Sequence, residues 1–82
     1  MFYVYVLKSL SHSNFYIGSS ENPEKRLNKE HNMGKVRYTK GRRPWILVYK
    51  ERYLTRSEAR KRELFLKSGK GRKFLDKILT NE

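Results

Sequence analysis

The sequence has 82 residues, with 20 Lys and Arg, 8 Asp and Glu, a formal net charge of +12 and no cysteine. This length predicts one small domain over residues 1–82, and the lack of cysteine excludes disulfides and thiolate metal sites. Neither the apolar run at residues 46–49 nor the apolar N-terminus is long enough to span a membrane, and the N-terminus lacks a preceding basic segment. We therefore expect a cytoplasmic protein with no membrane partner.

The chain begins with a predicted β-hairpin. Residues 2–7 alternate with the two-residue period of a strand, and both faces are apolar, so this strand is predicted to be central. A polar connector at residues 9–14 leads to a second strand at residues 15–18, and so short a connector indicates antiparallel pairing. A third strand is predicted at residues 45–49, after the breaker Pro44.

The helices carry recognisable start signals. Asn22 can cap a first helix whose first position suits Pro23, and this helix is predicted to end at residue 30 or 31. Residues 32–44 are predicted to form a loop. Thr55 and Glu58 make a capping box, because the hydroxyl and the carboxylate three residues later can satisfy each other's backbone N–H groups.

The last part of the chain completes the predicted topology. The capping box opens a second helix to about residue 68, glycines at residues 69–71 end it, and a short last helix follows over residues 72–79. The order β-β-α-β-α-α predicts an α/β fold of the α+β kind, in which helices flank a three-stranded, mainly antiparallel sheet.

Four side chains are candidates for chemistry, although each also has an ordinary structural interpretation. Tyr5 and Tyr16 lie on paired strands, where an aromatic pair is common, and Arg26 could be a solvated helix residue. Glu63 falls on the apolar side of the second helix, where a carboxylate is costly unless it pairs or binds a cation. An i,i+4 pair with Lys67 is its simpler explanation.

These residues, taken in order, resemble the GIY-YIG nuclease family, named for two short strand motifs. Residues 3–5, Tyr-Val-Tyr, stand where the family has Gly-Ile-Tyr, and residues 16–18 match Tyr-Ile-Gly outright. Arg26 and Glu63 lie on the helices where the family carries its arginine and its metal-binding glutamate. Residues 41–45, Gly-Arg-Arg-Pro-Trp, are similar to those of the small stand-alone bacterial members, which are related to excision-repair and homing nucleases.

The resemblance implies a divalent-metal-dependent endonuclease that hydrolyses DNA, of a structure-specific or repair type. It implies that Glu63 binds one Mg²⁺ or Mn²⁺ ion and that Arg26 stabilises charge developing on the phosphate. Tyr5 or Tyr16 would orient or deprotonate the attacking water. A phenol acting as a base needs a lowered pKa. We expect Tyr5, Tyr16, Arg26 and Glu63 to surround one shallow concave site.

The sequence departs from the family pattern at three places. Tyr3 replaces a glycine, and Asn81 is the only candidate for a late asparagine of the site. Glu30 occupies the position, one turn after the arginine, where many members have His or Tyr. His31 comes one residue later, a rotation of about 500°, so it is predicted to point elsewhere unless the helix bulges or ends early. If the helix does so, His31 is a possible catalytic residue; otherwise it is interpreted, like His12, as a surface residue.

The basic charge predicts a polyanionic partner, most simply DNA, with RNA and an acidic protein as alternatives. The cations of residues 35–43, with Tyr38 to stack on a base, predict a loop that follows phosphates: Lys35, Arg37, Lys40, Arg42 and Arg43. A solvated basic loop is the simpler interpretation. Two other functions stay open: a nucleic-acid-binding module with weak or lost nuclease activity, and a basic adaptor that docks on another protein.

Overall fold

The computed structural model describes residues 1–12 and 14–80 and confirms the predicted topology. Three strands form one sheet in the order β2-β1-β3, with antiparallel pairing throughout: β1 (Phe2–Ser9), β2 (Phe15–Ser20) and β3 (Trp45–Tyr53). The helices are α1 (Pro23–Arg26), which continues as a π-helical turn (Leu27–His31), α2 (Arg37–Lys40), α3 (Arg56–Lys67) and α4 (Gly69–Thr80). No helix within the described ranges is long and apolar enough to cross a membrane.

The alternation of β1 builds two cores, one on each face of the sheet. Val4 and Val6 pack with buried residues of α3 and α4, including Leu66. Tyr5 and Leu7 point to the other face, where Trp45, Tyr16, Leu27 and Leu47 join them. Apolar side chains therefore cover both faces of β1, as expected for the central strand of the sheet. Burying each such side chain stabilises the fold by about 1.5–3 kcal/mol.

Strands β2 and β3 run two and four residues beyond their predicted ends, and two helical predictions are wrong. Residues 32–44 are not all loop, because Arg37–Lys40 form the helical turn α2. The glycines at residues 69–71 do not interrupt the helices as predicted, since α4 already starts at Gly69, directly after Ser68. The Ser68 hydroxyl accepts from the Gly71 N–H at 3.3 Å and so helps to start α4. A Cβ on Gly71 would lie 2.0 Å from the Phe65 carbonyl oxygen, so glycine is required where the two helices meet.

Glu51, on the edge strand β3, joins the sheet to α3. Arg62 binds its carboxylate through two nitrogens, at 2.8 and 3.1 Å, and Tyr53 donates to it at 2.8 Å. Tyr49 donates a further short hydrogen bond to the same group. Burial and the bond to Glu51 raise the pKa of Tyr49 to about 12. Burial alone would raise the pKa of Glu51, but the bonds from Arg62 and the tyrosines hold it below its usual range.

We expect Glu51→Gln to lower the free energy of unfolding by about 1.5–3 kcal/mol at neutral pH, because an amide nitrogen cannot accept from Arg62 or a tyrosine. The folded-state pKa of Glu51 is depressed, so its contribution is present above the unfolded value of 4.5 and is lost as the pH falls through the folded value. Urea unfolding of both proteins between pH 7 and pH 3 measures this. A difference that does not shrink as the pH falls below 4.5 would contradict the role of the charge.

Candidate functional site

Three buried side chains form a hydrogen-bonded chain beneath the β1–β2 hairpin. The Tyr5 hydroxyl lies 3.0 Å from His31 Nε2, and His31 Nδ1 lies 3.0 Å from the Thr39 hydroxyl. All three residues are fully buried. The Tyr16 ring packs against both aromatic neighbours, with its centroid 4.7 Å from His31 and 6.2 Å from Tyr5. Tyr5, Tyr16 and His31 are thus in direct contact, although they come from three different elements.

The π-helical turn is what brings His31 into this cluster. The Asn32 N–H bonds to the Leu27 carbonyl at 2.9 Å, five residues back, so the helix needs one more residue per turn than an α-helix. Residues five apart then come close to the same face, so His31 turns into the buried cluster while Glu30 still contacts Arg26. The interpretation of His31 as a surface residue is wrong, because its helix bulges.

Asn32 holds the end of the π-helical turn on β3. Its side-chain amide donates to the Trp45 carbonyl at 3.0 Å, and its side-chain oxygen accepts from the Trp45 N–H at 2.7 Å. The Trp45 indole N–H in turn donates to the Thr39 carbonyl at 2.8 Å. Neither Asn32 nor Thr39 was a sequence candidate. Their partners lie outside their own helical segments, so no local spacing pattern points to them.

The packing around Gly18 explains why the third residue of the Tyr-Ile-Gly motif is a glycine. It pairs with Tyr5 across the two strands, and the Tyr5 ring closes over it. A Cβ at Gly18 would lie 2.8 Å from the Tyr5 hydroxyl oxygen and 3.0 Å from a Tyr16 ring carbon. Glycine is therefore the residue that leaves room for the two tyrosines to approach each other.

We expect Gly18→Ala to lower the free energy of unfolding by about 1–3 kcal/mol, because the added methyl overpacks this contact. In a Tyr5→Leu background both of the nearest atoms, the Tyr5 hydroxyl oxygen at 2.8 Å and its ring carbon at 2.9 Å, are gone, so the same substitution should cost less. Thermal unfolding of the single and double variants measures this coupling. Gly41→Ala is the matched control, because nothing lies within 4 Å of a Cβ there. Equal costs in both backgrounds would contradict the proposed clash.

The protonation states within the cluster follow from its burial. Burial raises the pKa of Tyr5 far above its ordinary value, so the Tyr5 hydroxyl keeps its proton. Burial also lowers the pKa of His31, helped by the positive charge of Arg26 and opposed by Glu30, so His31 is neutral at pH 7. Tyr5 therefore lacks the lowered pKa that a phenolate base requires. Neutral His31 is the better proton acceptor.

Arg26 lies at the start of the π-helical turn and faces an open groove. Its Nε is 3.1 Å from a Glu30 carboxylate oxygen, but the geometry does not make a hydrogen bond, and this nitrogen is buried without a hydrogen-bond partner among the described residues. The pair is an electrostatic contact rather than a directed bond. About a third of the Arg26 side chain remains exposed, at 36%, which leaves the guanidinium accessible to an anion.

Glu63 approaches the same region from the α3 face of the sheet. Its carboxylate accepts from the Ser19 hydroxyl at 2.8 Å and from Lys67 at 2.8 Å. Burial alone would raise the pKa of Glu63, but the bonds from Lys67 and Ser19 hold it below its usual range. Glu63 does not point to bulk solvent: the residue is 8% exposed. Arg26 and Glu63 both lie near enough to Tyr5 to influence its pKa.

Ser19 connects Glu63 with the groove that Arg26 faces. Its hydroxyl donates to Glu63, and the residue also lines this open groove of about 550 Å³, together with Arg26, Lys35 and Arg56. A hydroxyl and a carboxylate are oxygen donors of the kind that Mg²⁺ or Mn²⁺ accepts, with water and substrate phosphate as further ligands. No cluster of three or more His, Asp or Glu occurs within the described ranges. Glu63 and Ser19 could together supply two of the oxygen ligands of a single ion, in competition with Lys67 for one oxygen of Glu63.

The predicted phosphate-following residues are distributed unevenly. Lys35 lines the groove beside Arg26. Of the others, Arg37, Lys40 and Arg43 are exposed and Arg42 is half-buried, in or beside α2. Their segment is anchored, because the Ser9 hydroxyl donates to the Arg42 carbonyl at 2.6 Å. The Tyr38 side chain and Asn81 lie outside the part of the chain that the structure describes.

Comparison with known proteins identifies the class that this fold and site define. The family model of the GIY-YIG catalytic domain matches residues 1–75, and the chain belongs to that family. GIY-YIG is a nuclease-type family, its domain implies nucleic-acid binding, and its nucleases generally use a divalent metal.

The curated relatives are small single-domain members called UPF0213 proteins. The chain is 45% identical to one from Staphylococcus haemolyticus over 67 residues, which is 80% of this chain and 79% of the relative. It is 44% identical over 66 residues to one from Staphylococcus saprophyticus, with the same coverage. A Staphylococcus aureus relative is 45% identical over 67 residues, again with 80% and 79% covered. No solved structure matches the chain significantly.

Proposed function

We propose that this protein is a cytoplasmic endonuclease that hydrolyses DNA phosphodiester bonds with one Mg²⁺ or Mn²⁺ ion, on branched, flapped or damaged substrates. The observation that carries the proposal is the hydrogen bond between Tyr5 and His31 beside the Tyr16 ring, with Arg26 and Glu63 near enough to influence the pKa of Tyr5. The chain length favours recognition of nucleic-acid shape and phosphates over the reading of a long sequence.

Each residue of the site has a separate role in the proposed hydrolysis. Tyr16 is the more exposed of the two tyrosines and orients the attacking water, since Tyr5 has no exposed surface. The water oxygen bonds to phosphorus as the bond to the leaving oxygen breaks. The water's proton passes to neutral His31 by way of the Tyr16 hydroxyl and then the Tyr5 hydroxyl, which already contacts Nε2. Arg26 stabilises the negative charge that builds on the phosphate oxygens. Glu63 would hold the metal, whose positive charge assists the leaving oxygen.

A second function is favoured by the ion pairs of the structure. Arg26 contacts Glu30, and Glu63 is bound by Lys67, so each charged residue of the site already has an internal partner. A protein in this arrangement could bind nucleic acid and cut slowly or not at all. A basic adaptor that docks on another protein is the remaining alternative.

The test is incubation of the protein with branched, single-stranded and duplex DNA and RNA, with Mg²⁺, with Mn²⁺ or with EDTA. Nicking that depends on the metal and is strongest on branched DNA supports the proposed endonuclease. Binding without nicking supports the nucleic-acid-binding module. Neither binding nor nicking would favour the adaptor and reject both nucleic-acid functions.

A further inference from the structure

We propose that Thr39 is a positioning residue that fixes neutral His31 in the tautomer with hydrogen on Nδ1, so that Nε2 is free to accept a proton from Tyr5. This inference rests on the proposed nuclease function for its catalytic consequence, although the tautomer itself does not depend on that function. Thr39 lies on α2, eight residues beyond the histidine that it contacts.

A count of hydrogens selects the tautomer. The Thr39 hydroxyl lies 3.2 Å from the Val36 carbonyl, to which it can only donate, and 3.0 Å from His31 Nδ1. If Thr39 donates to Val36, its oxygen accepts from Nδ1–H, and Tyr5 donates to Nε2. Three hydrogens then satisfy three contacts.

The opposite tautomer satisfies fewer contacts. Nε2–H would donate to the Tyr5 oxygen, and Thr39 would turn its only hydrogen to Nδ1, which leaves the Val36 contact without a hydrogen. The Tyr5 hydrogen would then need another acceptor within a fully buried cluster. A buried hydroxyl that loses its partner is costly, so this arrangement is disfavoured.

The charged and titratable neighbours of His31 act on its pKa, whereas Thr39 determines which ring nitrogen carries the hydrogen. Tyr5 on β1 and Tyr16 on β2 face the ring, and Arg26 and Glu30 act on its charge from the preceding helix. Among the residues that the structure describes, the hydrogen bond to Nδ1 is made by Thr39. Its backbone is fixed by the Trp45 indole N–H, at 2.8 Å from the Thr39 carbonyl. The hydroxyl is therefore held in place before substrate binds.

The first experiment reads the tautomer directly by ¹⁵N NMR of the imidazole nitrogens in the full chain at neutral pH. The chain has two histidines, so a His12→Gln variant assigns the signals of His31. We expect hydrogen on Nδ1 in the wild type. A wild-type spectrum with hydrogen on Nε2 would overturn the proposal, whether or not any variant folds and whether or not the protein cuts DNA.

The second experiment compares Thr39→Val, which keeps the shape and loses the hydroxyl, with Thr39→Ser, which keeps the hydroxyl. We expect Thr39→Val to mix or invert the tautomers and to lower kcat by about 100-fold with KM little changed, because a general base contributes about 10²–10⁴-fold. Thr39→Ser should restore both. An altered tautomer with unchanged kcat would overturn the positioning role. A wild type that does not cut would reject the nuclease function, and the NMR result would still decide the tautomer.

Discussion

Glu63→Gln is expected to abolish metal-dependent cleavage, with a loss of at least about 100-fold, and to leave DNA affinity nearly unchanged. The amide keeps the size of the side chain and can still accept from Ser19 at 2.8 Å. It loses the negative charge that would hold a cation. The pair with Lys67, whose side chain is 49% exposed, adds little to stability, so the variant should remain folded.

Three measurements separate the roles of Glu63: nicking rate, DNA affinity in EDTA and Mn²⁺ binding by calorimetry. Glu58→Gln is the matched control, because it removes the same charge from an exposed position on the same helix and keeps the acceptor that faces Thr55. We expect the control to cut and to bind Mn²⁺ as the wild type does. If Glu63→Gln cuts at the wild-type rate, Glu63 is not the metal ligand and the proposed mechanism is wrong.

The sheet was predictable because its signals are local. Residues 2–7 alternate between the two faces of the strand with apolar side chains on both, and this pattern predicts that two layers cover the strand. The structure places helices on each side. The Tyr-Ile-Gly motif follows the same alternation, and each of its residues has a separate structural role. Tyr16 faces the site, Ile17 faces the α3 core, and Gly18 leaves space for Tyr5.

The π-helical turn was not predictable, because its causes are distant in sequence. A periodicity argument assumes 3.6 residues per turn: it correctly places Glu30 beside Arg26, but it points His31 away from the site. The turn that buries His31 is stabilised by contacts of His31 with Tyr5, 26 residues away, and of Asn32 with Trp45, 13 residues away. The same limit explains α4. Glycine at position 71 suggested a break, yet it serves a close contact between two helices.

Substitutions in the basic segment at residues 35–43 are expected to have the second large effect. Neutralising Lys40, Arg42 and Arg43 together to glutamine should reduce DNA affinity for all sequences and flatten the salt dependence by up to about 3 units, one for each lost phosphate contact. Wild-type affinity should then fall about 40-fold more than that of the triple variant when salt rises from about 50 to about 200 mM. Lys40 and Arg43 are exposed, and Arg43 Nε donates to the Lys40 carbonyl at 2.8 Å, which orders the segment.

Charge alone has to be separated from contact, because the chain carries a formal net charge of +12 and any loss of cations weakens binding somewhat. A second triple variant removes the same charge from exposed positions of α4, at Lys70, Lys73 and Lys77. Binding of both variants and the wild type is measured by fluorescence anisotropy at several salt concentrations. We expect only the first variant to flatten the slope by its full amount. An unchanged slope in that variant would place the nucleic acid on another face of the protein, the one that carries Arg56, Arg60 and Lys67 on α3.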